Sequence, residues 1–292
     1  MNSITQLQQR IEQFGYIAER GLASSLLLMD TLSRPLLLEG DAGVGKTEVG
    51  KMLARIHDCS LIRLQCYEGL DVSSAIYEWN YQHQLLAIKL MENRDGDFDQ
   101  REQSLFSDRY LLERPLLRAI TQDRSPVLLI DEIDRADEEF ESYLLELLSD
   151  FQVSIPELGT ITARSLPRVV LTSNGTRELS DALRRRCLYY FLDYPSFEKE
   201  MRILKLHCPD LGSDLALQVV TFVQQFRQGD LRKTPGIAET LDWVAALMSL
   251  EVRTLTHSTE EVLDTLVCLL KTREDRAAVS ADTLHNMLTA TA

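Results

Sequence analysis

Five short apolar runs punctuate the chain before residue 195, each closing on glycine or polar residues. They are Leu36–Leu38 (led by Pro35 and followed by Glu39), Ser60–Cys66, Val127–Ile130 (led by Pro126), Arg168–Ser173 and Leu188–Asp193, the last ending before Pro195. Runs of this length bounded by turn formers read as buried strands. Between them the apolar period lengthens to that of a helix. Residues 4–33 read as a helical segment with Ile11, Phe14, Ile17, Leu22, Leu26 and Leu27 on its buried side. A second helix is expected from Lys46 to about Ile56. A third has Phe140, Tyr143, Leu144, Leu147 and Leu148 as its apolar face, Asp137 as N-cap, and Glu138 and Glu139 at its positive end. Gln152–Thr162 alternates around a turn near Glu157–Gly159, which predicts a β-hairpin.

From Ser196 onward the pattern is helical throughout. The apolar faces are Phe197/Met201/Leu204, Ile237/Leu241/Val244/Met248, Val262/Leu263/Leu266/Leu270 and Leu284/Met287/Leu288. The change near Tyr194–Ser196 divides the chain into an α/β core over residues 1–194 and a helical lid over 195–292. The least regular stretch runs from Tyr67 to about Asp108. It holds Tyr77, Trp79 and Tyr81, then the acids Glu92, Asp95, Asp97, Asp99 and Glu102. A long insertion in a compact domain usually has a role of its own. An exposed helical insert that touches a partner or substrate is expected, with a merely solvated charge run as the alternative.

The polar residues that close the strands carry the chemistry. The first strand runs into Gly40-Asp41-Ala42-Gly43-Val44-Gly45-Lys46-Thr47, which fits G-x-x-x-x-G-K-[ST], with Glu48 just inside the following helix. A phosphate chain needs several inward backbone N–H groups, and glycines leave room for its approach. The helix N-terminus points its positive end at the same anion. In this motif Lys46 reaches the β- and γ-phosphates and the Thr47 hydroxyl ligates Mg²⁺. The third strand ends in Asp131-Glu132: Asp131 is placed to hold Mg²⁺ through water, Glu132 to orient and deprotonate the attacking water. The fourth leads to Asn174-Gly175, at the strand end that faces a ligand crevice. There Asn174 either positions the lytic water or simply forms a turn. Arg184-Arg185-Arg186 is either a solvated cluster or a source of a guanidinium offered across a subunit interface.

Composition narrows the partners. The 292 residues carry 45 acidic and 31 basic side chains, a formal charge of −14, which opposes a general affinity for nucleic acid or anionic membrane. The five cysteines are scattered, as expected of reduced thiols in a cytoplasmic protein. Asp30 and Arg34 interrupt the richest apolar run, so no membrane span is expected.

Together, Gly40–Thr47, Ile130–Glu132, Asn174, the arginines after Leu183 and the helical lid resemble an AAA+ ATPase. The hairpin before Asn174 is similar to the one inserted there in the helix-2-insert clade. Cys66–Asp71 running on to Tyr77–Tyr81, Arg184–Leu188 with Asp193–Pro195, and Arg232–Pro235 with Ala238–Trp243 resemble the MoxR family, in its CoxD-like branch. The resemblance implies an AAA+ P-loop core with a parallel five-stranded sheet, a helix-2 insert over about 70–105, a pre-sensor-1 hairpin over about 152–162 and an all-α lid. By the same resemblance, Lys46 and Thr47 match Walker A, Asp131 and Glu132 match Walker B, and Asn174 matches sensor 1. Arg186 is the best match for a trans-acting arginine finger, with Arg185 as competitor. Gln65 resembles the polar residue that restrains the catalytic glutamate. Tyr16 and Ile17 are candidates for the adenine site, with core packing as the alternative. In one departure, Gly236 follows Pro235 where many MoxR proteins have arginine, so sensor 2 falls to Lys233 or Arg232, or is missing.

Such proteins act as hexameric ring chaperones on protein clients, often with a von Willebrand factor A-domain partner, in metalloenzyme maturation or complex assembly. The expected activity is therefore ATP hydrolysis with Mg²⁺ in a self-assembled ring. A nucleic-acid motor or loader, a P-loop kinase and a barely hydrolysing regulatory module are the alternatives.

Overall fold

The computed structural model describes residues 3–91, 104–229, 231–256 and 259–279. Its strands are β1 (Leu36–Glu39), β2 (Leu61–Gln65), β3 (Tyr77–Trp79), β4 (Leu111–Glu113), β5 (Val127–Asp131), β6 (Gln152–Ile155), β7 (Gly159–Thr162), β8 (Arg168–Ser173) and β9 (Leu188–Phe191). Five of them form one parallel sheet in the order β2-β5-β8-β1-β9.

Side chains alternate between the two faces of a strand, and here both faces are covered, which is why the central strands read as unbroken apolar runs. Leu37, Leu128, Ile130, Val169 and Leu171 face one core, with Leu116, Ile120, Phe140 and Leu144 from the Pro115–Thr121 and Glu138–Asp150 helices. Leu36, Leu38, Val127, Leu129 and Val170 face the other, under Ile11, Leu22, Leu26, Val49 and Met52 from the Ser3–Gln13, Arg20–Leu32 and Lys46–His57 helices. A third core is made wholly by residues after 200. Helices Phe197–His207, Ser213–Arg227 and Ile237–Ser249 close around Phe222 and Trp243, whose rings lie 5.1 Å apart. The buried indole N–H donates to the Thr265 hydroxyl at 2.9 Å.

Several expectations need correction. The 4–33 segment is two helices, broken where Gly15 takes a φ of 85°. A glycine in the left-handed region is the usual way to stop a helix. Phe14 and Leu27 are consequently half-buried rather than core, and Tyr16 and Ile17 lie in the break. Tyr143 is 44% exposed, at the margin of a stripe whose centre is Phe140, Leu144 and Leu147. Asp137 does cap that helix, accepting the Phe140 amide at 2.8 Å. The antiparallel β6–β7 hairpin is present with Val153 opposite Ile161. The β3–β4 pair was not expected, since three-residue strands are too short to show a period. In the insert region, the Tyr81–Met91 helix exposes Tyr81, Leu85, Leu86 and Leu90. Glu92, Asp95, Asp97, Asp99 and Glu102, and the face Leu284/Met287/Leu288, lie outside the described residues. Among the described residues no helix is long and apolar enough to cross a membrane.

Candidate functional site

The site lies where the carboxyl ends of β1, β5 and β8 meet the first turn of the Lys46–His57 helix. β1 leaves the sheet at Gly40, and a Cβ there would stand 2.1 Å from the Leu192 carbonyl oxygen, so no side chain fits. The loop then returns to the sheet through Lys46, which is buried. The Lys46 ammonium donates to the carbonyls of Gly40 (2.6 Å) and Asp41 (2.7 Å) and to Asn174 Oδ1 (2.8 Å). Three donors thus have three acceptors, all of which a phosphate chain can replace. Burial lowers the Lys46 pKa, against the pull of Asp134, Asp41, Asp131 and Glu132.

Asp131, at the end of β5, is 2% exposed. Its Oδ1 accepts from the hydroxyls of Thr172 (2.5 Å) and Thr47 (3.0 Å). Its Oδ2 accepts from Arg63 Nε (3.1 Å) and Nη2 (2.6 Å). The Thr172 hydroxyl also accepts the Glu132 amide at 2.9 Å, so one buried threonine fixes both acidic residues. Glu132 itself has a φ of 56°. A non-glycine residue in that region is strained, and such strain collects at functional sites. The Glu132 carboxylate accepts from Gln65 Nε2 and from Arg135, each at 3.0 Å. Asp134 takes the Thr176 amide (3.0 Å) and hydroxyl (2.6 Å), anchoring the loop that carries Asn174. Burial raises the Asp134 pKa, but these hydrogen bonds and one from the Asn174 backbone outweigh it and hold the carboxyl below its usual range.

Between this cluster and the lid is a cavity of about 490 Å³. It is lined by Lys46, Thr47, Asp131, Glu132 and Asn174, by Ala42, Gly43, Val44, Gly45 and Glu48 of the loop and its helix, by Tyr16, Ile17, Ile203 and Leu241, and by the basic side chains Lys51, Lys199 and His207. The size suits a small organic ligand, and the mixture of apolar walls with cationic groups suits one that carries both a ring and anionic groups. Burial, reinforced by Tyr190, Glu19 and Glu48, pushes the Tyr16 phenol far above its ordinary pKa, so it stays a neutral wall. The oxygens of Thr47 and Asp131 are hard donors. No group of three or more His, Cys, Asp or Glu side chains arranged to hold a metal occurs among the described residues. One carboxylate and one hydroxyl, with the remaining positions left to water and phosphate, is the donor set that fits Mg²⁺.

Other candidate residues lie apart from the cavity. Gly40 and Asp41 contribute carbonyls to Lys46 rather than lining it. Arg184, Arg185 and Arg186 do not line it either. Arg186 donates to Ser149 Oγ and, at 3.0 Å, to the Ala182 carbonyl, while Arg34 holds the carbonyls of Arg185 (2.5 Å) and Arg186 (3.3 Å). The Arg185 guanidinium is exposed and has no partner among the described residues. Lys233 is absent from the lining; its amide and that of Arg232 donate to Asp275 at 3.2 and 2.8 Å. The lid meets the phosphate loop through backbone instead. The Ile237 amide donates to the Gly43 carbonyl at 3.0 Å, and a Cβ on Gly236 would stand 2.6 Å from the Gly43 backbone.

Arg63, Thr172, Asp134 and Arg135 were not picked out in the sequence. Arg63 had a signal, since it and Gln65 are the exposed positions that alternate with buried Ile62 and Leu64 on β2.

The AAA domain model (dynein-related subfamily) matches residues 35–187. The gas vesicle ATPase GvpN of Haloferax mediterranei is 23% identical over 208 residues, covering 68% of this chain, and the chain spans 57% of that protein. An uncharacterized protein of Staphylococcus aureus (strain USA300) is 25% identical over 228 residues, 75% of this chain and 77% of its own length. Among solved structures, a mutant of Thermotoga maritima RuvB superposes with a TM-score of 0.51 at 18% identity, over 89% of this chain and 69% of that one, a likeness of fold. The parallel five-stranded sheet with its phosphate loop and helical C-terminal region is the AAA+ P-loop architecture. With the family model spanning more than half of its length, the chain belongs to the dynein-related subfamily of the AAA domain family.

Proposed function

We propose that the chain is an ATP-hydrolysing remodelling ATPase of MoxR type, in its CoxD-like branch, that works as a cytoplasmic hexameric ring on a protein client. One observation carries the reading: Lys46, Thr47, Asp131, Glu132 and Asn174 all line a single cavity. These are the parts needed to bind a nucleoside triphosphate and direct water onto it. The similarity to a gas vesicle ATPase supports the same chemistry. Magnesium, when bound, neutralises phosphate charge, and Thr47 and Asp131 would hold it. Lys46 gives up the carbonyls of Gly40 and Asp41 to phosphate oxygens, Asn174 orients the lytic water, and Glu132 takes its proton. Tyr16 and Ile17 with Ile203 and Leu241 shelter the base. The arginines after Leu183 do not line their own cavity. Arg186 or Arg185 of a neighbouring subunit completes the site.

Motion of the lid against the core then passes to a client through the insert and the β6–β7 hairpin. A von Willebrand A-domain protein is the expected partner, and metalloenzyme maturation or complex assembly the expected task. The test is sizing of Glu132→Gln with ATP. A particle near six subunits is expected for the variant and ATP turnover for the unaltered protein; a strict monomer under every condition would favour a P-loop kinase. Turnover raised by DNA and by no protein would favour a nucleic-acid motor.

A further inference from the structure

Asp131 is a buried carboxylate, and a buried charge without a counter-charge is strongly disfavoured. Lys46 does not hydrogen-bond to it, since its three protons go to Gly40, Asp41 and Asn174. The counter-charge is Arg63, which takes Asp131 Oδ2 with both Nε and Nη2. Both oxygens are then saturated, Oδ1 by two hydroxyls and Oδ2 by the guanidinium. The Thr47 hydroxyl can turn to the cation it shares with Asp131, but before Asp131 can offer Oδ2 the guanidinium has to leave. Thr172 is 1% exposed and also holds the Glu132 amide, so it is fixed. The Arg63 side chain is 49% exposed and can swing into solvent.

The same Arg63 Nη2 donates to Gln65 Oε1 at 2.5 Å. Arg63 and Gln65 are two apart on β2, hence on one side of the strand, and Gln65 is in register with Asp131 across the β2–β5 pair. With its oxygen held by Arg63, the Gln65 amide turns its nitrogen to Glu132 Oε2. One guanidinium thus occupies the metal-facing carboxylate and, through one glutamine, orients the restraint on the catalytic one.

We propose that Arg63 is a positioning residue that stands in for the divalent cation on Asp131 and keeps Glu132 restrained through Gln65, so that displacing Arg63 releases both carboxylates together. The proposal rests on the ATPase reading of the site.

The test is the Mg²⁺ concentration for half-maximal binding of a fluorescent, non-hydrolysable ATP analogue, beside basal ATP turnover and thermal melting, for wild type, Arg63→Ala, Arg63→Lys and Gln65→Ala. Arg63→Ala is expected to need at least fivefold less Mg²⁺ and to turn over faster at limiting Mg²⁺. Gln65→Ala is expected to raise turnover with the Mg²⁺ requirement unchanged. Arg63→Lys keeps the charge but not the fork, so its Mg²⁺ requirement stays within twofold of wild type while turnover rises; it decides the matter should Arg63→Ala fail to melt cooperatively. A folded Arg63→Ala with the wild-type Mg²⁺ requirement, or an Arg63→Lys indistinguishable from wild type in turnover, overturns the role of Arg63 alone. Wild type that binds no analogue at any Mg²⁺ concentration overturns the ATPase reading itself, and this proposal with it.

Discussion

Asp131 in the core and Glu200 in the helical region are both buried carboxylates paired with an arginine, but their partners differ in freedom. Glu200 is 0% exposed, and Arg227 grips it with two N–H···O bonds of 2.7 Å. Gln224 (2.7 Å) and Thr240 (3.1 Å) fill its other sites, while Arg227 Nε is spent on the Pro235 carbonyl and its guanidinium carbon lies 5.3 Å from the centre of the Tyr194 ring. Arg227 is itself only 7% exposed. Arg63, by contrast, is half in water and Asp131 borders a cavity. The same pairing therefore serves two ends. Closed on every side it ties three helices of the lid and the Pro235 backbone to one another; open on one side it leaves the Arg63 end of the pair in reach of solvent.

The comparison is tested most severely by Glu200→Ala. Removing one partner leaves Arg227 buried and unpaired, which costs about 3–5 kcal/mol. A chemical denaturation curve should show that loss with or without nucleotide. Asp131→Asn should invert the pattern, with stability changed little and turnover falling by about 100-fold or more. In a melting assay wild type should gain about 2.7 kcal/mol from Mg·ATP at 100 times its Kd, and the variant markedly less. Gly236→Ala sets the lid against the phosphate loop and should cost about 1–3 kcal/mol as an overpacked contact. Nucleotide affinity measured beside the melt should weaken with it. The smallest effect is expected for Arg202→Ala, whose pair with Glu12 (3.0 Å) joins the lid to the N-terminal helix but is solvent-exposed. Exposed pairs contribute under about 1 kcal/mol, so a larger drop in denaturation midpoint would mean that exposure is the wrong criterion.

The strand ends were legible in the sequence because their chemistry is contiguous. Gly40–Thr47 and Ile130–Glu132 each carry strand, turn and functional group within a dozen residues, and the structure joins them through the Thr47–Asp131 hydrogen bond although β8 lies between their strands. Asn174 was legible for the same reason, at the end of an apolar run. The long-range partners were not. Arg63 meets Asp131 across 68 positions, Thr172 meets it across 41, and only sheet order brings them together. Gly15 concealed a helix break because a single glycine inside an apolar period is as often tolerated as not. Tyr77–Trp79 and Leu111–Glu113 pair across an insertion, so neither run carried a pattern long enough to read.

The contact between Gly43 and Gly236 has a mechanical consequence. A loop that wraps a phosphate does so by turning its peptides, and the Gly43 peptide is bonded through its carbonyl to the first residue of the Ile237–Ser249 helix. That helix has 13 residues, about 20 Å of stiff rod. Loop and helix are thus joined backbone to backbone, with the Glu239 carboxylate closing the same turn by accepting the Gly236 amide at 3.1 Å, so the direction of that rod is set by the Gly43 peptide.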